Sequence, residues 1–172
     1  AGMLVYLSFR FESHFAIAAT TTIALDLTKT IGFFALTGVE FNLTAVAALL
    51  ALIGYSINDK VVVFDRIRES LRATPDKPII QLMNESISST LTRTVFTSVT
   101  TFLALLPMGV AGGSAVASFA LPMLFGIVIG TSSSVFIAAP ILYFLSQRRV
   151  QKGLAQLRPT SEEMREKLAQ IP

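Results

Sequence analysis

The residue most able to do chemistry in this sequence is an aspartate in the middle of an apolar helix. Asp59 sits in Gly54–Glu69, GYSINDKVVVFDRIRE, a stretch that starts as a small-residue apolar helix and ends as a basic one. A carboxylate at membrane depth is costly and calls for a partner or a function. Arg93 is the matching cation. Asp59 lies 16 residues from Leu43 at the outer end of its span, and Arg93 lies 16 residues from Gly109 at the outer end of the next. At 1.5 Å per residue each is about 24 Å below that boundary. Opposite charges on consecutive antiparallel helices therefore fall at one depth. Two readings stay open: a static ion pair that spares two lone buried charges, or a titrating carboxylate with a counter-ion that moves.

The polar residues around them extend the pattern. Asn58 precedes Asp59 inside the apolar stretch, and Tyr55, Ser56, Asp59 and Arg66 recur at helical spacing. On the next span Arg93, Thr97, Thr100 and Thr101 share a face, with Thr90 one turn before. Such hydroxyl rows supply interhelical hydrogen bonds in membrane bundles, or bond the carbonyls of their own helix. Asp26 is a candidate step on an ion path, about 16 Å below the outer boundary. Lys29, three residues on, is placed to neutralise it. Lys60 projects about 100° away from Asp59 and is expected to snorkel toward the cytoplasmic interface. Gly126 and Gly130, with Ser134 and Ala138, make a small-residue stripe for close helix packing.

These residues need helices that cross a membrane, and the composition agrees. The chain of 172 residues is 52% hydrophobic and 15% charged, against about 25% charged in soluble domains. Its mean hydropathy is +0.65. The sequence pI of about 9.5 does not mark a nucleic-acid protein, because the basic residues flank the apolar runs and form no single patch. With no Cys and one His, His14, neither a disulfide nor a zinc site is expected. No cofactor is expected either. The absence of a nucleophile–base pair or a phosphate-cradling loop argues against an enzyme.

The spacing predicts an all-α, polytopic transmembrane bundle over residues 1–146. It comprises a truncated helix at 1–9, spans at about 15–37, 43–66, 92–109 and 115–145, and an interfacial helix at about 78–91. The opening run AGMLVYLSF is shorter than the roughly 20 residues a span needs and reads as the stump of a longer helix in a fragment. Residues 66–77 read as a basic connector, with Asp76 and Pro78 as N-cap and early helix. Pro107, Pro122 and Pro140 permit kinks. Residues 147–172 form a tail in which Thr160–Glu163 fits a capping box. Loops 10–14 and 66–78 and the C-terminus carry the Lys and Arg, whereas loops 38–42 and 110–114 carry none. The positive-inside rule then puts the basic side in the cytoplasm and the bare loops in the periplasm.

Four stretches carry a resemblance: Ile53–Asp59 (IGYSIND), Val61–Glu69 (VVVFDRIRE), Leu91–Ser98 (LTRTVFTS) and Gly126–Ser134 (GIVIGTSSS). In these the chain resembles the SecD/SecF family of protein-export membrane proteins, on its SecF side, within the resistance–nodulation–division superfamily. The resemblance covers about Leu4 to Leu145. It implies half of a two-repeat membrane domain, lacking a first helix and a large periplasmic domain. It implies a protein of the bacterial inner membrane that works with SecD and the SecYEG channel. Such a protein uses the proton-motive force to assist export and meets the exported preprotein only indirectly, with lipids around it and no nucleic-acid partner. It also implies that Asp59 and Arg93 match the family's functional membrane Asp and Arg. Two positions depart from the pattern: Lys60 where Ser or Thr is usual, and Leu25 before Asp26 where His is usual. The alternatives are a structural subunit with a static pair, or half of a substrate exporter of the wider superfamily.

Overall fold

A computed structural model describes residues 13–74 and 76–153, with Gly2 and Val5 besides. The expected helix at 1–9 and the capping box at Thr160 lie outside the described residues. Those described are helical apart from short turns: α1 Ser13–Thr37, α2 Leu43–Ala73, α3 Ile79–Ala111, α4 Gly113–Ser133, a π-helical turn Ser134–Ala138, and α5 Ala139–Gln151. By length and composition α2, α3 and the continuous run Gly113–Gln151 can each cross a membrane, and α1, of 25 residues, is the fourth helix.

Local chemistry sets the helix ends. α1 stops where Gly38 takes φ 67 and returns its N–H to the Phe34 carbonyl at 3.1 Å, the left-handed glycine that closes many helices. α2 starts with Asn42, whose side chain accepts the Ala45 N–H at 3.0 Å, satisfying one of the free N–H groups of the first turn. The same side chain donates to Ser118 at 3.3 Å, tying this loop to α4.

Several boundaries differ from the sequence expectation. The second span does not stop at Arg66. The helix continues to Ala73, with Arg66 paired to Glu69 at 2.6 Å, and ends at Thr74, which Pro75 pushes out of the helical region. Asp76 is no cap: Pro78 occupies the N-cap position without a side-chain bond. The interfacial helix and the third span are one helix of 33 residues, about 50 Å long, because nothing between Pro78 and Gly112 breaks it. Pro107 falls within its last turns. The expected loop at 110–114 shrinks to Gly112, with Gly113 starting α4 at φ 72. The last span is divided by the π turn just before Pro140. A proline ring clashes with the carbonyl four residues back and supplies no N–H, and a widened turn relieves both.

Two apolar clusters hold the bundle. One joins Phe15, Ala18 and Ala19 of α1 to Phe64, Ile67 and Leu71 of α2, and to Leu82 and Leu142. Phe15 meets Phe64 edge-on at 5.5 Å. The other joins Ala48 and Leu52 of α2 to Met123 and Ile127 of α4. Gly126 makes this second contact close, since a Cβ there would lie 2.0 Å from Leu52 Cδ1. A Cβ on Gly130 would stand 3.5 Å from Ser56 Oγ, an ordinary contact. Gly126→Ala is therefore expected to destabilise the bundle by about 1–3 kcal/mol through overpacking against a buried leucine, and Gly130→Ala by much less. Thermal unfolding of the two variants in detergent checks the order; equal losses would mean that Leu52 moves aside freely.

Candidate functional site

Along the three inner helices, a run of buried polar residues separates or borders the apolar contacts. On α1, Ile23 gives way to Asp26 and Thr30. On α2, Leu52 and Val63 bracket Ser56, Asp59 and Lys60. Along α4 and the π turn, Ile127 and Ala138 bracket Ser133 and Ser134. Of these, Asp26, Ser56, Lys60 and Ser133 meet in one polar layer with Asp59 beside them, while Thr30 and Ser134 bond carbonyls of their own helices.

Asp26 is the hub of one side of the layer. It is 1% exposed, and its Oδ2 accepts three hydrogen bonds: Ser56 Oγ at 2.9 Å, Lys60 Nζ at 2.9 Å and Ser133 Oγ at 2.8 Å. Lys60, also 1% exposed, donates further to Ser56 Oγ and to Ser133 Oγ, the latter at 3.4 Å. Three helices are thus joined by one buried ion pair and two hydroxyls. Two sequence expectations are corrected here. Lys60 does not snorkel, and Lys29 is not the partner of Asp26. Lys29 lies on the exposed side of α1, while Lys60 reaches Asp26 from α2. The 100° between residues 59 and 60 does not carry Lys60 out of the bundle, because α2 is covered on both arcs.

Asp59 occupies the other side of the layer. It is 3% exposed, with Thr131 facing its carboxylate. Its Oδ2 has no hydrogen-bond partner among the described residues. Tyr55 donates to Ser98 Oγ at 3.0 Å, and Ser98 shares a 2.6 Å hydrogen bond with Thr131. A chain of hydroxyls therefore leads from Tyr55 to the neighbourhood of Asp59.

Arg93 is exposed on α3, and among the described residues no ion pair joins it to Asp59. Its charge acts on the carboxylate through space. α3 is rotated relative to the expected register. Its buried stripe is Thr90, Thr94 and Ser98, which leaves Arg93 and Thr100 outside and Thr97 and Thr101 half-buried. Thr97 donates to the Arg93 carbonyl and Thr101 to the Thr97 carbonyl, each at 2.8 Å, so both hydroxyls serve their own helix. Asn58 is exposed and stays outside the layer.

The structure thus brings Asp26, Ser56, Asp59 and Gly130 together, links Tyr55 to them, and leaves Asn58, Thr97, Thr101 and Arg93 at or beyond the edge. Sequence reasoning passed over Lys60, Ser98, Thr131 and Ser133 as site residues. The signal available was depth: Lys60 adjoins Asp59, and Thr131–Ser134 is a hydroxyl run inside an apolar helix. Among the described residues no three His, Cys, Asp or Glu side chains gather as a metal site.

The comparisons with known proteins point to one family. The family described as "Protein export membrane protein SecD/SecF, C-terminal" matches residues 1–148. The chain is 48% identical over 150 residues to a protein translocase subunit SecF of Calditerrivibrio nitroreducens, covering 86% of this chain and 49% of that one. It is 43% identical over 152 residues to a SecF of Rickettsia bellii, covering 88% and 50%. The chain thus spans about half the length of these curated relatives. Among solved structures it is similar to the crystal structure of SecDF, a translocon-associated membrane protein from Thermus thermophilus. That match has a TM-score of 0.81 and 41% identity, over 84% of this chain and 20% of that one. Sequence and overall fold agree over most of the chain, and it belongs to the SecD/SecF C-terminal family of protein-export membrane proteins.

Proposed function

We propose that the chain is the membrane half of a SecF-type translocase subunit. With SecD, in the bacterial inner membrane, it would use the proton-motive force to assist protein translocation through SecYEG. Asp59 takes up and releases the proton, and Arg93 is the cation that meets it in one conformation and leaves it in another. The basic ends of the helices face the cytoplasm and the loop at 38–42 faces the periplasm, in keeping with the positive-inside rule.

The observation that carries this reading is the contrast between the two buried carboxylates. Asp26 has Lys60 in direct contact. Asp59 is as deeply buried but has no cation in contact among the described residues. A lone charge in such a site is strongly unfavourable, so Asp59 is the carboxylate left for a proton or an arriving cation to match. Arg93, exposed on a helix whose apolar stretch is only 11% buried, makes no ion pair with another acid among the described residues. If protonated and ionised Asp59 favour different placements of α3, a proton gradient biases the bundle between two shapes. Differential affinity for two states is what such coupling requires.

The test is proton flux through the complete SecD–SecF complex in proteoliposomes under an imposed gradient. Asp59→Asn is expected to reduce flux to the level of empty vesicles, while Glu69→Gln, outside the layer, leaves it unchanged. Wild-type flux through Asp59→Asn would remove Asp59 from the proton path and favour a static, structural subunit.

A further inference from the structure

Asp26, Ser56, Lys60 and Ser133 have a geometry that an ordinary ion pair does not need. The Lys60 ammonium lies within hydrogen-bond distance of three oxygens: Asp26 Oδ2, Ser56 Oγ and Ser133 Oγ. The ammonium is thus held in the manner of a small monovalent cation, by a carboxylate and two hydroxyls contributed by three helices.

The oxygens do not depend on the lysine for their placement. Both hydroxyls reach Asp26 Oδ2 as donors, at 2.9 and 2.8 Å, and the single Ser133 hydrogen has the Gly130 carbonyl, at 3.0 Å, as its other acceptor. With their hydrogens directed at the carboxylate, the hydroxyl lone pairs are left for a cation. Asp26 Oδ1 is a further buried oxygen with no hydrogen-bond partner among the described residues. Four hard oxygen atoms around one negative charge suit a hard cation. The charged groups around the site are Asp26 and Lys29 on α1 and Asp59 and Lys60 on α2, with Arg93 on α3 reaching Asp59 through space. α4 contributes hydroxyls alone.

We propose that Asp26, Ser56 and Ser133 form a monovalent-cation site whose resident ion is the chain's own Lys60 ammonium, and that removing this side chain opens the site to a free cation such as ammonium, methylammonium or Na⁺. The inference is separate from the proton reading of Asp59. It concerns the other carboxylate, and its readout is stability rather than export.

The test uses the complete SecD–SecF complex in detergent at constant ionic strength, replacing choline chloride by ammonium, methylammonium or sodium chloride. Lys60→Ala is expected to unfold at a lower temperature than wild type in choline. One or more of the smaller cations should raise its Tm in a saturable way, by about 1 °C at tenfold over Kd for a complex several times longer than this chain. Wild type and the double variant Asp26→Asn/Lys60→Ala should respond to all four salts alike. If Lys60→Ala cannot be purified, Lys60→Thr carries the same comparison. Recovery of Lys60→Ala only in the presence of a small cation would also support the site. The same Tm in choline and in all three smaller cations overturns the proposal, and means that Asp26 without lysine is neutralised by a proton.

Discussion

Asp59→Asn is expected to abolish proton-driven export by the SecD–SecF complex while leaving the complex assembled. The amide keeps the shape of the carboxylate and much of its hydrogen bonding but can hold no transferable proton. Arg93→Met keeps much of the arginine volume and removes the cation. In the present geometry Arg93 is exposed and makes no ion pair with Asp59, so Arg93→Met should cost this conformation little stability. It should still eliminate export, because the counter-ion is lost from the state in which the two groups meet. The double variant separates the readings. A static pair predicts that removing both charges restores stability and export together. A proton switch predicts a stable complex that remains inactive. Export stimulation and thermal stability, measured for both singles and the double, decide between them. A double variant with near-normal, proton-driven export would leave only the structural account.

The second large effect belongs to Asp26 and Lys60. Both are 1% exposed and in direct contact. Removing one partner leaves the other charge buried without compensation, a loss of about 3–5 kcal/mol. Asp26→Asn and Lys60→Met should each lower stability by that order, whereas the double variant should recover most of it. The same exchange at Arg66 and Glu69, where the ion pair has side chains 45% and 67% exposed, should change stability by less than about 1 kcal/mol. Unfolding of the purified complex, as a double-mutant cycle for each pair, checks the contrast. Equal small effects at both pairs would show that water reaches the Asp26–Lys60 contact.

Each prediction rests on features of different legibility. That Asp59 is buried follows from its depth in an apolar run, and depth is a one-dimensional property of a helix. That Asp59 and Arg93 share a level follows in the same way. Their contact does not follow, because it needs the rotational phase of α3 as well. The threonine spacing on α3 fits two overlapping stripes. Packing selects Thr90, Thr94 and Ser98 as the buried one, and Arg93 moves outside with the other.

Lys60 shows the same limit more sharply. An isolated helix with Asp59 turned inward places its neighbour 100° away, which for a helix packed on one side means toward lipid. α2 is packed on several sides, so both turn inward, Asp59 toward Thr131 on α4 and Lys60 toward Asp26 on α1 and Ser133 on α4. Asn58, on the remaining arc, is exposed. Similarly, the proximity of Lys29 to Asp26 in sequence gave way to a partner 34 residues distant, since an interhelical lysine can also bond Ser56 and Ser133.

What the sequence by itself determined was the membrane class, the all-α architecture, the end of α1 and the start of α2, and the place of Asp26 and Asp59 within apolar helical stretches. These depend on composition, local turn chemistry and a fixed rise per residue. Only the tertiary structure decided which side of each helix is inside, that α2 and α3 run on past their expected ends, and that Asp26 is matched by Lys60 while Asp59 has no cation in contact. Those outcomes depend on how many neighbours surround a helix and on its rotation against them, and both are set by the packing of the whole bundle.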